Sequence, residues 1–156
     1  MKSYLTFLVA ALMLVLGAAP ADAQGTKGTA AEATAMVERA IAHIKKVGRL
    51  KAFADFGDPK GGFTDRDLYV VVYDLQGKVL AHGANPKMIG KDMIDLRDSD
   101  GKYFVKERVE MMSKGPDAKG WQDYKFMNPM SRQIEPKSMF LQRFEDVMVG
   151  CGIYKN

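Results

Sequence analysis

"LYVVVYDLQGKVLAHG", Leu68 to Gly83, is the stretch whose reading decides the fold. From Leu68 to Tyr73 every residue is aliphatic or aromatic, and the three valines suit a pleated strand. Gln76-Gly77 supplies a turn and "KVLAHG" returns, so the stretch reads as a β-hairpin. Alternation divides its first strand: Leu68, Val70 and Val72 share one face, and Tyr69, Val71 and Tyr73 share the other. The aliphatic face belongs against helices, which leaves the tyrosine face toward a pocket.

Upstream the period changes from two to that of a helix. Gln24 to Gly28 reads as a flexible leader, and Thr29-Ala-Ala-Glu32 has the form of a capping box. Met36, Val37, Ala40, Ile41, Ile44 and Val47 follow at helical spacing, with Gly48 ending or interrupting the helix. "RLKAFADF" adds another turn or two before "GDPKGG" breaks the pattern.

Downstream, "ANPKMIGKDMIDLRDSDGK" is a long irregular crossing. Phe104, Val105, Val109 and Met112 then mark a second amphipathic helix, closed by "KGPDAKG". Strands are expected around Trp121 to Phe126 and Ser138 to Phe144, with Pro129 and Pro136 between them. Glu145-Asp146 turns the chain into a last strand, Val147 to Tyr154. This order predicts an α+β domain with a five-stranded, mainly antiparallel sheet. The long N-terminal helix and the crossing helix are expected on one face, and a ligand pocket on the other.

The first 23 residues are read apart from the fold. Lys2, the apolar run Leu5 to Leu16 and Ala21-Asp22-Ala23 make a signal peptide cleaved before Gln24, the alternative being an uncleaved anchor. The run is short of the ~20 residues that span a bilayer. A periplasmic or secreted bacterial protein is therefore expected, with one domain over 29–156 and no membrane span after cleavage.

Composition excludes several classes. The formal net charge of +4 is scattered and interleaved with acids, unlike the basic face of a nucleic-acid binder. A single cysteine, Cys151, rules out an internal disulfide, and its apolar setting in "VMVGCGIY" predicts a buried, unreactive thiol. No CxxCH or paired CxxC is present, His43 and His82 lack ligand spacing, and "DLRDSDG" lacks the EF-hand pattern, so neither metal nor cofactor is expected. No GxSxG, HExxH or Gly-rich phosphate loop suggests an enzyme.

The candidate ligand-binding residues are aromatic and cationic. "GWQDYKFMNP" carries Trp121, the only tryptophan, and Tyr124, and "IEPKSMF" carries Lys137 behind Pro136. Lys137 is either a solvated edge lysine or an inward cation able to bind a carboxylate. Trp121 and Tyr124 differ by an odd number and point to opposite faces of a regular strand. Both reach one pocket only through a bulge or from its rim, and the alternative for Trp121 is core packing. Tyr69 and Tyr73 share the pocket face of the first strand. His82 ends "VLAH" at a strand terminus, as a structural histidine or as a donor into the site.

The order of elements, with "LYVVVYDLQGKVLAHGANPKMIGKDMIDLRDSDGKYFV", "GWQDYKFMNP", "EPKSMF" and "VGCGIY", resembles a single Cache domain over roughly Glu32 to Lys155. This is the PAS-like extracellular sensor module of bacterial chemoreceptors and sensor kinases. The resemblance implies a pocket on the sheet for a small organic acid such as acetate, propionate, pyruvate or lactate. It makes Lys137, His82, Tyr124, Trp121, Tyr69 and Tyr73 the ligand-binding candidates. A position after Lys137 that is often Tyr in the family is Met139-Phe140 here. With no signalling domain following "GIYK", the resemblance implies a stand-alone module that reports to a membrane receptor or sensor kinase. The alternative is an accessory subunit with a vestigial pocket, and the oligomeric state stays open.

Overall fold

The computed structural model describes residues 27–155. The expected signal segment 1–23 and its cleavage before Gln24 lie outside them. Of the expected leader 24–28, Lys27 and Gly28 are described. Gly28 N donates to Asp67 Oδ1 at 2.6 Å, and the Lys27 carbonyl accepts from Arg66 Nη1 at 3.0 Å.

Helix α1 (Ala30–Val47) begins where the capping box places it: Thr29 Oγ1 accepts from Glu32 N at 3.3 Å, and the Glu32 carboxylate accepts from Thr29 N at 2.7 Å. Its buried stripe is Ala33, Met36, Val37, Ala40, Ile41 and Ile44, the apolar spacing of the sequence. Gly48 ends it at φ 81°, a left-handed conformation that glycine adopts without strain, and also starts α2 (Arg49–Gly57).

Six strands follow: β1 (Thr64–Asp65), β2 (Leu68–Asp74), β3 (Val79–His82), β4 (Lys119–Met127), β5 (Ile134–Phe144) and β6 (Val147–Tyr154). Helix α3 (Phe104–Met112) lies between β3 and β4. β1 and β3 pair with one edge of β2, and the order then runs β2-β6-β5-β4 with every pairing antiparallel. The five longer strands are those expected, and the two-residue β1 is an addition.

The aliphatic face of β2 packs as expected. Val70 and Val72, with Phe140, Val147, Val149 and Cys151, lie under α1 and α2. The crossing helix does not join them, which corrects the expectation that both helices share a face. α3 packs on the opposite face through Phe104, Val105 and Met112, against Val71, Tyr73, Met139, Leu141 and Met148. Topology gives the reason. β3 and β4 lie toward opposite edges of the sheet, so the connection must cross it, and α1 and α2 already cover the aliphatic side. The tyrosine side also presents enough apolar surface to need a cover.

The crossing segment is tied down at Asp98. Its Oδ1 accepts from Asp100 N and Lys102 N, both at 2.9 Å, and its Oδ2 accepts from Lys125 N of β4 at 3.1 Å. Cys151 is buried against α1, 3.6 Å from Met36 Sδ, and burial pushes its thiol pKa up to about 12. Among the described residues no helix is long and apolar enough to cross a membrane, and no group of His, Cys, Asp and Glu could hold a metal ion.

Candidate functional site

Alternation along β5 decides where Lys137 points. Phe140 faces α1, so Lys137, Met139 and Leu141 face the tyrosine side. Lys137 has no solvent exposure. Its Nζ donates to the hydroxyls of Tyr69 on β2 (2.9 Å) and Tyr154 on β6 (3.2 Å), and lies 4.0 Å from the centroid of the Tyr69 ring. The Tyr154 hydroxyl donates in turn to the Met127 carbonyl at 2.6 Å. Burial, with the charge of Arg108 adding to it, pulls the Lys137 ammonium pKa down to about 7.

His82 closes β3 next to this group. Its Nδ1 accepts from the amides of Ala84 (3.2 Å) and Asn85 (3.0 Å), which only donate, so in the neutral ring the proton sits on Nε2. The ring stacks on Tyr69 with centroids 5.0 Å apart. Burial, aided by the Lys137 charge, lowers its pKa to about 4, so the imidazole is neutral near pH 7.

A second cation enters from α3. Arg108 is fully buried, with its guanidinium carbon 4.4 Å from the Tyr124 ring centroid and 4.8 Å from that of Phe104. Nε donates to Gln122 Oε1 at 2.8 Å and Nη1 to the Tyr73 hydroxyl at 3.1 Å, while Nη2 is buried with no partner. Tyr124 is buried beside it, and burial raises its hydroxyl pKa to about 12.

Beside these groups a cavity of about 320 Å3 opens between the crossing segment and the β4–β5 hairpin. Tyr69 and His82 line it together with Ala84, Asn85, Met88, Phe126, Met127 and Pro129. A smaller cleft of about 260 Å3 is lined by Tyr124 and Lys137 together with Asp98, Lys102 and Pro136. Three of its lysines are already paired, Lys102 with Glu107 at 3.0 Å, Lys125 with Asp100 at 2.8 Å and Lys155 with Asp123 at 2.7 Å.

Five of the six candidates thus lie on one face: Lys137, His82, Tyr69, Tyr73 and Tyr124. The structure does not bring Trp121 to them. β4 pairs with β5 in unbroken register from Lys119 to Met127, so no bulge redirects it. Trp121 instead packs at 5.5 Å on Phe140, on the helix side, with 40% of its surface exposed. Sequence reasoning missed Arg108 and Tyr154. Arg108 stands four residues from both Phe104 and Met112, inside the buried stripe of α3, and an arginine in that position was the available signal. Tyr154 shares its strand face with Gly150 and Gly152, a run without side chains that leaves room for a neighbour's.

The arrangement can hold an anion: two buried cations, tyrosine hydroxyls and one imidazole N–H, all on one face of the sheet. Comparison with known proteins agrees with a sensor architecture. The family model for single Cache domain 2 matches residues 5–156. The methyl-accepting chemotaxis protein McpP of Pseudomonas putida is 32% identical over 92 residues, which are 58% of this chain and 16% of that protein. A solved methyl-accepting chemotaxis protein from Vibrio parahaemolyticus superposes with a TM-score of 0.69 at 23% identity, covering 80% of this chain and 86% of that one. A Cache chemosensory domain solved for its carboxylic acid recognition gives a TM-score of 0.67 at 20% identity, covering 81% and 92%. At these identities the two structures show the fold. The family match runs over nearly the whole sequence, and this chain belongs to the single Cache domain 2 family.

Proposed function

We propose that this chain is an extracytoplasmic sensor domain that binds a small carboxylate on the tyrosine face of its sheet. The observation that carries the reading is the pair of fully buried cations, Lys137 and Arg108. Among the described residues no carboxylate stands within salt-bridge distance of either, and Arg108 Nη2, on a guanidinium over the Tyr124 ring, makes no hydrogen bond. The buried Asp67 uses Oδ1 on Gly28 N and acts on Lys137 only at longer range. A buried charge without a counter-ion costs several kcal/mol, a cost that Lys137 relieves in part by giving up its proton near pH 7 and that Arg108 cannot relieve. A ligand carboxylate placed among these groups supplies the missing anion, and a neutral ligand does not.

The Tyr69 hydroxyl and His82 Nε2–H add donors, the Tyr154 proton being held by the Met127 carbonyl, and each charge-assisted hydrogen bond contributes about 1.5–3 kcal/mol. The acids in view are those of the acetate, propionate, pyruvate and lactate class. The solved Cache domain that recognises carboxylic acids supports that class. Occupancy would be reported to a membrane receptor or sensor kinase; a methyl-accepting chemotaxis protein and a sensor histidine kinase are among the similar proteins.

Thermal unfolding tests the reading. A ligand selective for the native state raises Tm by mass action. These acids are expected to raise the Tm of the wild type and to leave Lys137→Met unmoved. A wild type that no acid stabilises would leave the pocket vestigial and favour an accessory subunit.

A further inference from the structure

The cavity lined by Tyr69 and His82, the neighbours of Lys137, is larger than a two- or three-carbon acid needs. Its volume of about 320 Å3 is roughly twice the 150 Å3 in which a dry apolar cavity holds a six-carbon ring. Its lining is also uneven in character. Tyr69 and His82 bring hydroxyl and imidazole groups from the sheet, whereas Met88, Phe126, Met127 and Pro129 present thioether, phenyl and ring carbons. No lysine or arginine lines it.

We propose, building on the carboxylate reading, that the preferred ligand is a monocarboxylate with an apolar tail of about four to six carbons. The carboxylate lies toward Tyr69 and His82, and the tail between Met88 and the β4–β5 hairpin. A two-carbon acid leaves the methionine and phenyl surfaces facing water. Each methylene set against them removes apolar surface from water, which strengthens binding about fourfold. The thioether walls adapt their shape, so branched tails fit as well as straight ones. A second carboxylate at the tail end would displace apolar contact with Met88 and Phe126 and find no cation there, so a dicarboxylate of equal length binds more weakly.

Calorimetric titration of the full chain with acetate, propionate, butanoate, pentanoate and hexanoate tests this, with adipate as the six-carbon dicarboxylate. Kd is expected to fall about fourfold per methylene from propionate to pentanoate. Adipate is expected to bind at least about tenfold more weakly than hexanoate. Ala84→Leu and Met127→Trp add bulk from opposite walls of the cavity. Each is expected to reduce the hexanoate-to-acetate affinity ratio about tenfold, and either alone decides if the other fails to fold. Acids that bind with acetate or propionate as tight as hexanoate overturn the tail and leave the carboxylate site standing. A hexanoate preference that survives both substitutions overturns its placement. A series in which no acid binds removes the carboxylate reading and this proposal together.

Discussion

Gly152 and Lys137 share the space of one side chain: a Cβ built on Gly152 falls 2.5 Å from Lys137 Cε. Lys137 stands on β5 and its partner Tyr69 on β2, with β6 between them. The lysine therefore lies across β6, over a residue that has no side chain. Gly150, two residues earlier on the same face, does the same for Met139, whose Sδ would meet a Cβ at 2.9 Å. The bare face of "GCG" admits a cation from the neighbouring strand to the middle of the sheet.

Gly152→Ala should consequently disable the site more than the fold. The atom struck hardest is the far end of a flexible side chain, so the lysine can swing away from Tyr69, while the backbone of β5 at Ser138 O (3.0 Å) and Met139 Cα (3.2 Å) must give by a few tenths of an ångström. Carboxylate affinity is expected to fall at least about tenfold, the loss of one charged hydrogen bond, while the apo Tm falls by only a few degrees. Calorimetry beside a melting curve separates the two effects. Unchanged affinity would show that the position of Lys137 over β6 is immaterial to binding.

Much of the sheet was legible because alternation is a local property. The faces of Val70 and Tyr73, the strand limits of β6 and the capping box at Thr29 follow from neighbours a few residues apart. The side taken by α3 was not legible, since it depends on which strands form the sheet edges, and strand order is set by contacts distant in sequence. Lys137 could be named from "EPKSMF", but its depth depends on Gly152, and its partner Tyr69 is 68 residues away. Arg108 is legible only as a charge placed inside the apolar stripe of α3; that it is buried depends on the sheet packed against that helix.

Trp121 separates the two faces spectroscopically. It packs on Phe140 on the helix side and is 40% exposed, whereas the cations occupy the other side of the sheet. Its emission is expected to be quenched readily by acrylamide, and to change by less than about a tenth when a carboxylate saturates the protein. A large ligand-induced change would mean that occupancy moves the helix face as well.

Arg108 should behave as a ligand partner and not as a strut. Its uncompensated burial already works against folding, so Arg108→Met removes a desolvated charge while leaving Gln122 Oε1 and the Tyr73 hydroxyl each one bond short. These effects oppose each other, and the apo stability is expected to change by no more than about 2 kcal/mol. Carboxylate affinity is expected to fall about 10- to 100-fold. Denaturant unfolding and titration measure the two. A stability loss of about 3–5 kcal/mol with binding retained would make the arginine structural.

The pH dependence of binding and of stability should carry opposite signs above neutrality, because both pass through Lys137. Burial holds its folded pKa at about 7 against an ordinary lysine value of 10.5. Between these values the unfolded chain binds one proton more than the apo protein. Stability from this residue therefore rises with pH across that window, by up to about 1.4 kcal/mol per unit, and is lost again as pH falls to 7. His82 adds an acid window: its pKa is about 4 when folded against 6.5, so its neutral burial loses stability as pH falls from 6.5 toward 4. A bound carboxylate reverses the situation at Lys137, since it requires the ammonium. Binding above pH 7 must then take up a proton, and Kd is expected to rise by up to about tenfold per pH unit, while below pH 6 this dependence is absent. Calorimetry at pH 8 in two buffers of different ionisation enthalpy reads the uptake directly, expected near one proton per ligand for the wild type. Retained binding at pH 8 with no proton uptake would show that the carboxylate is held without Lys137.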